Sequence, residues 1–218
     1  MRFVCFSDTH GRHERVSVPE GDVLVFAGDA CERGTLDELV RFLDWFGGQP
    51  HPHKVLVAGN HDWPLDPSRP ESEEARARVE AAGAVYLQDE ALVLGGVKVY
   101  GSPWQPAFHD WAFNLPRGGP DLAHAWAQIP DDTDLLVTHG PPHGILDRNF
   151  MWKVCGCELL TARVAEVRPR VHVFGHIHEA AGLLAADDRS QSVPTTFANV
   201  SAVNLFYRPV HAPRVFDL

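Results

Sequence analysis

Eight side chains of types that bind metals or move protons stand just behind short apolar runs of this sequence. Asp8 and His10 follow FVCFS, Asp29 follows VLVFAG, and Asn60 and His61 follow KVLVAG. His139 follows LLVT, and His176 and His178 follow VHVFG. An apolar run of four or five residues is fit for a buried strand. Polar residues at its carboxyl end then lie on the edge of an α/β sheet where ligands bind. One such strand would mean little. Five of them delivering two Asp, one Asn and five His point to a metal centre, and mixed imidazole and oxygen donors suit Mn, Fe or Zn better than Ca or Mg.

The elements that must position these residues can be read from periodicity and turn signals. Strands are expected over 2–8, 23–29 and 55–58, with a loop or short helical turn after His10. A helix capped by Thr35 is expected to run to about Phe46, because Leu36, Leu39, Val40, Leu43 and Phe46 keep i, i+3, i+4, i+7 spacing. Strand, helix and strand over 23–60 make a βαβ unit, which crosses right-handed into parallel pairing. A proline-rich loop at 64–70 and a polar helix at 71–82, capped by Ser72 or the loop before it, come next. Short strands at 84–87, 91–94 and 97–101 then follow one another, with Gly95-Gly96 as a hairpin turn. This change from alternating to consecutive β predicts a second, partly antiparallel sheet packed on the first. Helices at 121–128 and 157–167 and strands at 135–139 and 171–176 complete the pattern. The tail from 182 to 218 reads as further β-structure, clearest at 195–199 and 214–217.

Composition narrows the classes. A chain of 218 residues with 44% hydrophobic residues suits one large α/β domain spanning 1–218. A net charge of -10 without a basic stripe argues against an extended nucleic-acid surface. No apolar run approaches the roughly 20 residues that span a bilayer, and the amino terminus enters a strand without a leader-like stretch. No membrane association and a cytoplasmic location are the expectation. Of the four cysteines, Cys5 reads as a small core residue, and Cys155-Gly156-Cys157 lacks the second pair of a structural zinc site.

Asp8-x-His10, Gly28-Asp29, Gly59-Asn60-His61-Asp62, Thr138-His139-Gly140 and Gly175-His176-x-His178 together resemble the calcineurin-like metallophosphoesterases. GSPWQPAFHDWAFNLPRG, THGPPHGILD, GCELL and VHVFGHIHE look like the branch of brain-type metallophosphodiesterases. The resemblance implies a four-layer αββα sandwich of two mixed sheets with a two-metal centre. By that resemblance Asp8, His10 and His178 hold one ion, Asn60, His139 and His176 the other, and Asp29 bridges them. Manganese is the first expectation, with Fe or Zn as alternatives. Two such cations ~3.5–4 Å apart clamp a phosphoryl group and turn a bridging water into hydroxide. His61 is not a ligand in this scheme. It bonds the phosphate and protonates the leaving oxygen, a task suited to imidazole with its ordinary pKa near 6.5.

Other residues admit two readings. Asp62 either orients His61 or caps the next turn. Arg117, beside Asn114 in the long irregular loop 102–120, is a candidate phosphate contact or a fastener of that loop, and Asn114 is a second candidate contact. Trp104, Phe108, Trp111 and Phe113 either stack on a nucleobase or form the loop's own core. His143 lies near enough to the THGPP turn to line the pocket, while His172 is out of register with Val171 and Val173 and faces away. Cys31 is expected as a wall behind the metals. Arg33 gives a GD…RG pattern like that of Ser/Thr protein phosphatases, but no Arg stands just before Gly59-Asn60-His61. The expected activity is hydrolysis of small nucleotide or model phosphodiesters. The alternatives are a phosphomonoesterase or protein phosphatase, and a non-catalytic scaffold on the same fold.

Overall fold

The computed structural model describes residues 1–186 and 194–218. In chain order the first half holds β1 (Arg2–Phe6), β2 (Val23–Ala27), α1 (Leu36–Gly47), β3 (His53–Val57), α2 (Ser72–Ala81) and β4 (Val85–Tyr86). There follow β5 (Glu90–Leu94), β6 (Val97–Ser102), β7 (Gln105–Pro106), β8 (Asn114–Leu115) and α3 (Pro120–Ala127). The rest is β9 (Leu135–Thr138), α4 (Glu158–Val167), β10 (Val171–Phe174), β11 (Gly182–Leu184), β12 (Thr196–Asn199) and β13 (Arg214–Asp217). Among the described residues no helix is long and apolar enough to cross a membrane.

Two mixed sheets form, in the orders β13-β1-β2-β3-β4 and β11-β12-β10-β9-β6-β5. Alternation along each strand sorts the side chains between layers. Phe3, Cys5, Val23, Val25, Val55 and Val57 meet Val97, Val99, Leu135, Val137, Val171 and Val173 in one core between the sheets. Val4, Phe6, Leu24, Phe26 and Leu56 point the other way, under Leu39, Phe42 and Phe46 of α1 and Ala75 and Val79 of α2. On the far side Leu136, Phe174 and Phe197 pack under Leu122 and Trp126 of α3 and Leu160 and Val164 of α4. The layers run helices, sheet, sheet, helices, which is the expected αββα sandwich.

Local chemistry sets the element ends. Thr35 closes α1 with a capping box, its hydroxyl accepting from Glu38 N while the Glu38 carboxylate reaches back. Gly95 and Gly96, at φ 55° and 87°, make the two-residue turn that sets Leu94 opposite Val97. The strand expected at 84–87 shortens to β4 and changes sheets. It pairs in parallel with β3, Val55 opposite Val85, because α2 acts as a second crossover helix. Consecutive β-structure therefore starts at β5. Glu71, whose side chain makes no capping bond, stands at the start of α2 where a Ser72 cap was one expectation. In the tail, β12 and β13 fall where strands are expected, and β13 pairs antiparallel with β1. The part of the tail reading that covers 187–193 lies outside the described residues.

Candidate metal centre

The neighbouring parallel strands β1, β2 and β3 end in the same direction, as do β9 and β10 in the other sheet. Their carboxyl ends converge because the sheets share one core. Hydrogen bonds weld the ends together. Asp8 N donates to Gly28 O (2.8 Å), His10 N to Asp29 O (3.1 Å) and Gly175 N to His139 O (2.8 Å). Four of the ligand-type residues take left-handed backbone, Asp8 (φ 54°), His10 (φ 44°), Asp29 (φ 63°) and His176 (φ 67°). Each such residue carries a cost of order 1 kcal/mol that the surrounding packing must offset. Two glycines leave the space. A β-carbon at Gly59 would strike the Asp29 carboxylate, and one at Gly175 would strike Asp8 and Ser7.

Three overlapping groups place donor atoms within 4.8 Å of one another: Asp8, His10 and His178; Asp29, His139 and His176; and His10, Asp29 and His61. Asp29 Oδ2 lies 3.6 Å from His10 Nε2 and 3.3 Å from His139 Nε2, so it stands between the first two groups. Asp8 Oδ1 is 3.4 Å from His178 Nε2. Asn60 Oδ1 lies 2.9 Å from His139 Nε2. All seven expected ligands are thus brought together.

These donors fit transition-metal ions. His10 Nδ1 donates to Cys31 O (3.1 Å) and His139 Nδ1 to Ala27 O (2.9 Å), which leaves Nε2 of each ring turned toward the site. His10 Nε2 faces His178 Nε2 at 3.1 Å, a juxtaposition of ring nitrogens that a shared cation favours. Burial pushes His10 and His176 down to about 3, so both rings are neutral. Burial also opposes a charge on His139, but Asp29 overrides it and lifts His139 to about 9. Burial would raise Asp29, yet His139 and His61 hold it well below the usual carboxylate range. Asp29 is therefore held ionised, and its negative charge is what would attract a divalent ion.

His61 is placed from both sides. Its backbone N–H donates to Asp29 Oδ1 (2.8 Å), and its Nδ1 donates to Glu32 O (2.8 Å). Trp111 packs against its ring at 4.2 Å between centroids. Asp62 has no part in this: its buried carboxylate accepts from Asp29 N and Gly59 N (both 2.9 Å) and Cys31 N (3.0 Å). Burial and then the Asp29 charge raise Asp62 to about 6. Neither expected role of Asp62 is found: its side chain makes no capping bond to the turn that follows, and instead ties the β2 and β3 ends together, while the Glu32 carbonyl is the group that orients His61. Asp62→Ala should leave three buried N–H groups unpaired and destabilise the fold by about 3 kcal/mol or more. Urea unfolding checks this; a loss within measurement error would show that the three amides find other partners.

The remaining candidates lie elsewhere. Arg117 donates to Glu158 Oε2 (2.7 Å), Gly156 O (2.8 Å) and Cys155 O (2.8 Å), fastening the long loop to the start of α4. Asn114 bonds the carbonyls of Phe108 (3.3 Å) and His109 (3.0 Å) within its own loop. Of the loop aromatics, Phe113 is buried and Trp104 donates to Asp89, Phe108 is exposed, and Trp111 alone of the four packs on His61. His143 stands 3.9 Å from Glu158 at the surface. His172 is buried on the helix side of its sheet, its Nε2 2.9 Å from Thr138 Oγ1. Cys31 serves the site through its backbone, since its N–H binds Asp62 and its carbonyl His10. Cys157 caps α4 and accepts from Trp126, apart from Cys155, whose thiol donates to Lys153 O.

Two residues at the site carry no sequence signal, Tyr207 and Arg12. The Tyr207 ring packs on His10 at 4.7 Å and His178 at 5.3 Å, and the Arg12 guanidinium lies 5.5 Å over that ring. Tyr207 follows His178 by 29 positions without a motif, and only the folding of the tail onto β1 brings it there.

Residues 1–180 match the family model of the calcineurin-like phosphoesterases. Over all of this chain and 71% of their own length, two proteins named metallophosphoesterase domain-containing protein 1, from Homo sapiens and Mus musculus, are 41% identical to it. A UPF0046 protein of Caenorhabditis elegans is 35% identical over all of this chain and 81% of its own. Among solved structures, TT1561 of Thermus thermophilus shares the fold with a TM-score of 0.62, covering 91% of this chain and 88% of that one at 13% identity. A match across most of the chain, on a fold that brings the same motifs to one point, makes this protein a member of the calcineurin-like phosphoesterase family.

Proposed function

We propose that this chain is a phosphodiesterase that hydrolyses small nucleotide or related diesters at a centre of two divalent ions, manganese first and Fe or Zn as alternatives. The observation that carries the reading is the convergence of two imidazole-carboxylate groups on Asp29, with His61 at their edge. Bound there, two divalent ions supply charge to polarise the phosphoryl oxygens and to activate water. Asp8, His10 and His178 would hold one ion, and Asn60, His139 and His176 the other, with Asp29 between.

His61 supplies the proton. The Glu32 carbonyl keeps one proton on Nδ1, so the proton that comes and goes is on Nε2. That nitrogen donates to the leaving oxygen as its bond to phosphorus breaks. Trp111 covers one side of the ring and restricts its rotation.

Preference for a diester is supported by the charge available. A diester carries one negative charge, whereas a monoester near neutral pH carries close to two. Arg117, the loop cation that was a candidate phosphate contact, is committed to Glu158 and two carbonyls. Metal-reconstituted protein should therefore show kcat/KM at least about tenfold higher on nucleotide and nitrophenyl diesters than on the matching monoesters. A panel of both, with a phosphopeptide included, measures this. Equal or reversed preference would move the assignment to a phosphomonoesterase or protein phosphatase.

A further inference from the structure

We propose that Tyr207 is a positioning residue for the metal ion held by Asp8, His10 and His178, acting through its ring; this rests on the two-metal reading above. The two histidines of that group are held unequally. The His10 ring is pinned by the bond from Nδ1 to Cys31 O. His178 has no such anchor: among the described residues its ring makes contact through Nε2, with Asp8 and His10, and its Nδ1 has no hydrogen-bond partner. A ligand imidazole without a bond at its second nitrogen is free to turn about its side-chain torsions. The Tyr207 ring meets His178 edge-on at 84° and His10 at 77°, an arrangement that favours one orientation of both rings.

The loop that carries Tyr207 is built to present it. Asn204 Oδ1 accepts from Phe206 N (3.0 Å) and Arg208 N (3.1 Å), and Asn204 O accepts from Tyr207 N (2.8 Å). Val203 and Pro209 bridge at its base, and Ala202 N donates to Ser7 O (2.9 Å), next to Asp8. Arg12, two residues after His10, adds its guanidinium over the ring. Tyr207 itself sits at φ 57°, a conformation that favours glycine. A bulky aromatic held in left-handed backbone at the mouth of a polar site is a local choice against stability that the ring's contacts explain.

The left-handed backbone also supplies a clean test. Tyr207→Gly removes the ring and suits the backbone, so metal-free protein should unfold within a few degrees of wild type. Tyr207→Phe keeps the ring without the hydroxyl. Calorimetric titration with Zn²⁺ should show two ions in all three proteins. In Tyr207→Gly one binding step should match wild type and the other should be weakened about 10–100-fold. The imidazole NMR signals of His10 and His178 should follow the weakened step, and those of His139 and His176 the other. Tyr207→Phe should bind like wild type. Unchanged affinities in Tyr207→Gly, an equal loss at both steps, or a loss in Tyr207→Phe as large as in the glycine variant would each overturn the proposal. If Tyr207→Gly does not fold, Tyr207→Leu replaces it with the same expectations. Wild-type protein that takes up no Zn²⁺ would overturn the two-metal reading itself, a result distinct from any of these.

Discussion

Asp29→Ala should strip the centre of its metals and take phosphoester hydrolysis below detection. Asp29 Oδ2 lies between the Nε2 atoms of His10 and His139, at 3.6 and 3.3 Å, so its loss removes the group shared by both halves of the site. Its other oxygen accepts the His61 N–H, so His61 loses its backbone anchor as well. Metal ions contribute several kcal/mol of charge stabilisation to such reactions, which converts to about 10³-fold or more in turnover. Elemental analysis should find about two transition-metal ions per chain in wild type and fewer than one in the variant. His172→Ala provides the contrast. Its ring is on the helix side of β10, bonded to Thr138, so metal content should be unchanged even though a buried side chain is lost. Two ions retained by Asp29→Ala, or metal lost from His172→Ala, would contradict this sorting of the site.

His61→Ala should keep both metals and the fold yet lose about 10²–10⁴-fold in turnover. The geometry separates it from the ligands. Its Nδ1 is engaged by Glu32 O, its ring packs on Trp111, and six other residues form two groups without it, with Asn60 beside His139. The loss should depend on the leaving group. An alkoxide such as a ribose oxygen needs a proton as its bond breaks, whereas nitrophenolate departs far more readily unaided. The variant should therefore suffer more on a natural nucleotide diester than on a nitrophenyl ester, with kcat measured on both at fixed Mn²⁺. Equal losses would make His61 a phosphate-binding residue instead of an acid. Loss of metal would make it a ligand, a role its proximity to His10 and Asp29 permits.

The motif residues were readable because each follows a strand. An apolar run buried on both faces is a strong signal, and the residue one or two places beyond it must stand on the sheet edge. Asp8, Asp29, Asn60, His139 and His176 are of that kind, and so is the alternation that excludes His172. The capping box at Thr35 and the Gly95-Gly96 turn were equally local. What local patterns missed was membership and direction. Nothing within 84–87 says that its strand joins β3, because the decision lies in how α2 crosses over. Arg117 and Asn114 look available in a list of residues, and their partners, 38 to 41 positions away for Arg117, settle their use.

By itself, then, the sequence determined the types of the candidate ligands, their order along the chain and the strands that carry them, all of which depend on contacts between near neighbours. Tertiary structure decided the rest. It made Asp62 the acceptor of three amides from two strand ends and gave the orientation of His61 to a carbonyl at Glu32. It also bent Asp8, His10, Asp29 and His176 into left-handed backbone, and laid Tyr207 against His178 and against His10 from the opposite end of the chain. The physical reason is the same in each case. A strained backbone or a buried carboxylate is unfavourable locally, and it persists only where amides, imidazoles and rings distant in sequence are packed close enough to offset its cost.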